Sequence, residues 1–164
     1  MDDKEFERLL LSVQKPGRYS GGEINSVVKD KNKVDVRFAF CFPDTYEIGM
    51  SHLGIKILYS QFNERDDIWC ERVFAPCEDF EKIMREKNIP LFGLESRDSI
   101  RDFDFIGLTL QYEMSYTNIL NMLDLAGVPL RAADRTELSP LVVAGGPCCS
   151  NAEPIADFLD LFFL

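Results

Sequence analysis

The chain has 164 residues, 46% hydrophobic and 12% aromatic, enough for one folded domain with its own core and too apolar for a disordered tail. Its net charge is −10 and its pI about 4.6, so no basic face marks it as a nucleic-acid binder. The acidic start MDDKEFE does not resemble a targeting segment, and no apolar run approaches the roughly 20 residues needed to span a bilayer.

Residues 2–13 carry Phe6, Leu9, Leu10 and Val13 at helical spacing, with Asp2 or Asp3 as cap. The stretch 15–23, KPGRYSGGE, is a loop by its Pro and Gly content. Its Lys15 and Arg18 could touch phosphate, but the P-loop ending and following helix are missing. Residues 1–33 thus read as a helix and Gly-rich loop, and 34–164 as the α/β part.

Alternation of Val34, Val36, Phe38 and Phe40 predicts a strand over 34–40. Asp44 with Glu47 three residues on resembles a capping box, opening a helix over 46–63 that carries Leu53, Ile57, Leu58 and Phe62 inward. Gly49 inside that helix costs about 1 kcal/mol against alanine, which implies a close approach by backbone or ligand. His52, the only histidine, has no evident catalytic partner and reads as an ordinary helix residue.

A second strand follows at 68–74, a helix at 77–87 and a short extended piece at 91–94. The third strand, 103–110, is apolar on both faces, as a central parallel strand must be. The helix 115–126 turns Tyr116, Ile119, Leu120 and Leu123 to the core, with Gly127 at its C′ position and Pro129 preventing continuation. A fourth strand at 141–146, a short helix in EPIADFL and a fifth, buried strand in DLFFL complete the chain.

Strands alternating with helices imply a parallel sheet with helices on both faces and right-handed crossovers. The expected order is 2-1-3-4-5, a flavodoxin-like or Rossmann-like α/β fold of about five strands. Ligands in such sheets sit beyond the carboxyl ends of the strands where the order reverses, here between the first and third strands. That points to loops 41–50, 110–116 and 145–151. Gly145-Gly146 is there either a tight turn needing positive φ or a place where a ligand meets bare backbone.

The cysteine pattern is not a secreted disulfide framework and fits a reducing cytoplasm. Cys148-Cys149 has no second Cys pair to complete a zinc site; the pair reads as small soft residues in a turn, with a metal site involving Cys41 as the alternative. An FMN enzyme would suit the fold alone, but no phosphate loop and no dinucleotide GxGxxG support it.

Several phrases together, KPGRYSGGEIN, FAFCFPDTYEIGMSHLGIKILY, ERVFAP, GLTLQYEMSYTNILNMLDLAG and VVAGGPCCSNAEPIADFLD, resemble the N-terminal region of a family of uncharacterised radical S-adenosylmethionine (radical SAM) proteins. The resemblance runs from about residue 9 to 164. It implies a cobalamin-binding-like domain placed before a radical SAM barrel of the same chain, reached after this stretch ends. On the cobalamin pattern Asp-x-His-x-x-Gly, Asp44 and Gly49 match, while Tyr46 stands where the cobalt-ligating histidine belongs. Thr109-Leu110 partly echoes the Ser-x-Leu after the third strand, and Gly145-Gly146 matches the glycine pair after the fourth.

The resemblance therefore implies corrinoid contacts at Asp44, Tyr46, Gly49, Thr109, Gly145 and Gly146, with no catalytic residue and no protein metal ligand in this stretch. Any corrinoid would lack a histidine below the cobalt, its nucleotide tail lying near the glycine pair. The cluster motif Cys-x-x-x-Cys-x-x-Cys is absent from the 164 residues, so an iron–sulfur cluster and S-adenosylmethionine belong to the rest of the polypeptide. The alternative is a degenerate module that keeps the fold, binds no corrinoid and caps the barrel or recognises its substrate.

Overall fold

The computed structural model describes residues 3–136 and 140–164. Five strands form one parallel sheet: β1 (Val36–Phe42), β2 (Ile68–Phe74), β3 (Phe105–Thr109), β4 (Leu141–Gly145) and β5 (Leu161–Phe163), in the order β2-β1-β3-β4-β5. The expected order and α/β class hold, and β3 is the middle strand, as its doubly apolar sequence requires. Among the described residues no helix is long and apolar enough to cross a membrane.

Strand β1 divides its side chains by parity. Ala39 and Cys41 join a core formed with α1 (Asp3–Leu10), α4 (Glu78–Lys87) and α5 (Tyr116–Ala126). Phe38, Phe40 and Phe42 point to the opposite face and pack under α3 (Leu53–Asn63). Phe6, Leu9, Leu10 and Val13 are buried as their spacing predicts, although α1 stops at Leu10 and candidate cap Asp2 lies outside the described residues. Helix α5 ends where expected: Gly127 is left-handed at φ 68°, and the amides of Gly127 and Val128 reach back to Asp124 O and Leu123 O.

Four expectations need correction. The first strand begins at Val36, not Val34, because the amides of Asp35 and Val36 both donate to Asp67 O, and the parallel register opens at Val36–Ile68. The single helix over 46–63 is two helices, α2 (Tyr46–Ser51) and α3, broken at His52 with ψ 118°. His52 caps the second: its Nδ1 accepts from Ile55 N at 3.4 Å.

The break resets the helical phase, which gives the third correction. Ile55, Tyr59 and Phe62, spaced i, i+4, i+7, meet the sheet, whereas Leu53, Ile57 and Leu58 are exposed. Fourth, Asp44 is not the helix cap. Thr45 holds the N-cap position without a side-chain bond, and Glu47 reaches Arg18 and Lys15 instead of closing a capping box.

Two further elements are shorter or more open than their sequences imply. EPIADFL forms a 3-10 turn over Glu153–Phe158. Strand β5 is an edge strand whose Leu161 and Phe163 are exposed, not buried.

The outer edge of β2 is sealed by charges that sequence pattern alone did not place. Glu71 and Arg72 are both buried, on opposite faces. Arg37 Nη2 donates to Glu71 Oε1 at 2.5 Å, and Arg72 Nε donates to Glu95 Oε1 at 2.7 Å. Arg72 also donates to Ser26 and lies 4.4 Å over the Tyr59 ring, so the strap before β1 and the loop after α4 are both pinned to the sheet.

Candidate functional site

The carboxyl ends of β1, β3 and β4 converge at the point where the strand order reverses. Asp44, Thr109, Gly145 and Gly146 stand together there; Tyr46 and Gly49 do not. Asp44 Oδ1 accepts from Thr45 N at 2.7 Å and Oδ2 accepts from the Tyr112 hydroxyl at 2.9 Å. Asn118 Nδ2, on α5, donates to Pro43 O at 2.9 Å. The Tyr112 bond ties the loop after β1 to the loop after β3, and the Asn118 bond ties it to α5.

The glycine pair splits into two different residues. Gly146 sits at φ 124°, ψ 176°, and a Cβ there would lie 2.7 Å from Leu110 O. Leu110 N donates to Gly145 O at 2.7 Å and Cys148 N donates to Leu110 O at 3.0 Å, so the chain's own backbone fills the space beside Gly146. At Gly145 the nearest atom to an added Cβ would be Phe163 Cβ at 4.0 Å. The Thr109 hydroxyl is buried without a hydrogen-bond partner.

Tyr46 turns toward β2. Its ring meets Phe74 edge-on at 5.5 Å, and its hydroxyl donates to Glu23 Oε1 at 3.1 Å. Burial first, then the Glu23 carboxylate, push its phenol above the ordinary value. Gly49 is required by packing: a Cβ would overlap the Phe74 ring and come 3.3 Å from Phe42. The close approach implied by that glycine is therefore made by side-chain rings.

All five cysteines are free, and among the described residues no three His, Cys, Asp or Glu side chains are placed to hold a metal ion. Cys41 and Cys149 are buried in the main core, and burial pushes both thiols up.

A second polar cluster lies between the N-terminal loop and α2. Lys15 and Arg18, the phosphate candidates of that loop, both bond to Glu47, at 3.1 and 3.0 Å. Arg18 also donates to Cys77 Sγ at 2.5 Å, and Cys77 N donates to the Tyr19 hydroxyl at 3.1 Å. Burial in the same corner pushes the Tyr19 phenol to about 12. The hydrogen bond from Arg18, with Lys15 beside it, holds Glu47 down at about 2.

The sign of the Glu47 contribution follows from that depression. Its stabilising effect is complete above the ordinary value of 4.5 and disappears as pH falls toward 2. The stability–pH curves of the native protein and Glu47→Gln should separate above pH 4.5 and merge near pH 2, with the gap narrowing in high salt because the Glu47 side chain is 43% exposed. Curves that stay parallel down to pH 2 would refute this assignment.

The strand order and the all-parallel sheet define a flavodoxin-like α/β module. A match over residues 54–164 with the family described as radical SAM proteins, N-terminal, places this chain in that family. The matched range begins in α3, after the loop that carries Asp44 and after α2, which carries Tyr46 and Gly49. The chain is also 28% identical over 127 residues to the uncharacterized protein MJ0966 of Methanocaldococcus jannaschii. That match covers 77% of this chain and 23% of the relative, so the chain spans less than a quarter of the curated protein it resembles.

Proposed function

We propose that this module is a corrinoid-free docking cap for the S-adenosylmethionine radical domain of a longer chain, and that it is not catalytic by itself. The observation that carries this reading is how two residues of the 44–49 stretch are engaged: Asp44 is held by Tyr112, and Tyr46 is turned away from the reversal point to Glu23. A corrinoid held in the usual manner needs an imidazole oriented by that aspartate. Here the tyrosine faces β2, its phenol is pushed up rather than toward phenolate, and the one histidine caps α3 beside Phe42. The backbone of Leu110 occupies the space beside Gly146. These residues do not fit a histidine-ligated corrinoid.

Two features speak for the rival, cofactor-binding reading: the unpartnered Thr109 hydroxyl and the open side of Gly145. They would accommodate at most a nucleotide tail, without a protein ligand to cobalt.

The same loops carry exposed apolar side chains, Ile48, Tyr112 and an 85% exposed Met114, which suit a protein surface better than water. Loops 41–50, 110–116 and 145–151 are thus proposed to face the barrel. The barrel would carry the iron–sulfur cluster and S-adenosylmethionine.

The deciding measurement is metal content of the full-length protein, produced anaerobically with cobalamin supplied. Iron without stoichiometric cobalt is the expected result. Stoichiometric cobalt would overturn the cap reading. Nitrogen superhyperfine splitting in the cob(II)alamin resonance, lost in His52→Ala, would also overturn the argument against histidine ligation.

A further inference from the structure

The strap before β1 is fastened by one ammonium group. Lys29 Nζ donates to Asn63 O at 3.0 Å, to Arg65 O at 2.5 Å and to Ile68 O at 2.6 Å. A lysine ammonium carries three N–H donors, and all three end here on backbone carbonyls. Its neighbours in the strap behave differently: Lys31 meets Asp98 and Lys33 meets Asp30, both carboxylates.

The fold gathers these oxygens at the turn between α3 and β2. Asn63 is the last residue of α3, where a carbonyl has no partner within the helix and carries the negative end of its dipole. Asp67 O faces β1 and accepts from Val36 N, so the next carbonyl along the strand, Ile68 O, points off the outer edge of the sheet. The Asn63 side chain holds the turn in place, donating to Cys70 O at 3.0 Å and accepting from Cys70 N at 3.1 Å. Asp67 adds negative charge nearby: its carboxyl is held below the ordinary value by Arg65 first, and the Lys29 charge acts in the same direction.

We propose that this turn is a monovalent-cation site of potassium size, which the chain fills with its own Lys29. Backbone carbonyls can replace the hydration shell of a potassium ion, and ammonium is an ion of nearly equal size. Lithium is too small to reach three such oxygens together, and tetramethylammonium is too large and has no N–H. The charge in the cage locks the strap to β2, beside the bonds from Trp69 Nε1 to Val27 O at 2.9 Å and from Val27 N to the Tyr59 hydroxyl at 2.7 Å. The site lies at the amino end of β2, away from the loops proposed to meet the barrel, and does not depend on that reading.

The test removes the tethered charge and offers a free one. In full-length Lys29→Ala, hydrogen exchange is followed by mass spectrometry in peptides covering 24–35 and 63–70. The chlorides of potassium, lithium and tetramethylammonium are compared at equal, high ionic strength. Exchange of both peptides is expected to run roughly tenfold faster than in the native protein in lithium and tetramethylammonium, the worth of about one charge-assisted hydrogen bond, and to return close to the native rate in potassium. The native protein should show no preference among the salts. Lys29→Met, whose uncharged chain fills the same place, should stay unprotected in all three. If Lys29→Ala does not fold in tetramethylammonium chloride, recovery of folded protein in potassium chloride alone is the same result. Equal protection, or equal failure to fold, in all three salts overturns the proposal. A potassium effect of the same size in Lys29→Met also overturns it.

Discussion

Replacing Glu95 with leucine is expected to remove about 3–5 kcal/mol of stability, the usual cost of stranding one member of a buried ion pair. Arg72 would keep a looser contact with Glu23 at 3.4 Å, together with Asn25, Ser26, Met50 and the Tyr59 ring. Glu95 is itself pushed above the ordinary carboxyl value, by burial first, and Arg72 offsets only part of that cost. The pair therefore adds little net energy over an apolar replacement. The double variant Arg72→Leu/Glu95→Leu should recover most of the loss, and urea unfolding of the single and double variants measures both quantities. A single-variant loss below about 1 kcal/mol would mean that water reaches the guanidinium and the burial is not as described.

The second large effect separates two adjacent glycines. Gly146→Ala is expected to cost about 2–4 kcal/mol, because alanine would be forced into a backbone region open essentially to glycine and its methyl pressed against Leu110 O. Gly145→Ala should stay within about 0.5 kcal/mol, since its methyl meets nothing closer than Phe163 Cβ at 4.0 Å. Thermal or urea unfolding without added cofactor is the measurement. If both glycines served only as bare backbone for a ligand, both alanine variants would be tolerated in its absence. Equal tolerance would return the pair to the corrinoid reading.

The class of fold, the five strands and their order follow from periodicities along the chain. Apolar alternation, the doubly apolar β3 and the Gly127–Pro129 ending of α5 are local signals, and the right-handed crossover rule turns them into a topology. The resemblance carried by the long phrases led to the family that the match over 54–164 shows.

What the residues pointed to only ambiguously was settled by contacts between distant segments. The break at His52 arises because Gly49 seats α2 on Phe42 and Phe74 while α3 must present Ile55 and Tyr59 to the sheet, and no window of 18 residues contains both demands. Asp44 reads as a cap until Tyr112, 68 residues away, is seen to hold it. Glu71 and Arg72 are charged residues in an edge strand, a pattern normally solvated, and they are buried because Arg37, Glu95 and Ser26 arrive from three other segments. Gly146 could be a cradle or a turn on sequence grounds alone. The backbone of Leu110 decides between them, because the space beside a glycine is a property of its neighbours in the fold and is not written at the glycine itself.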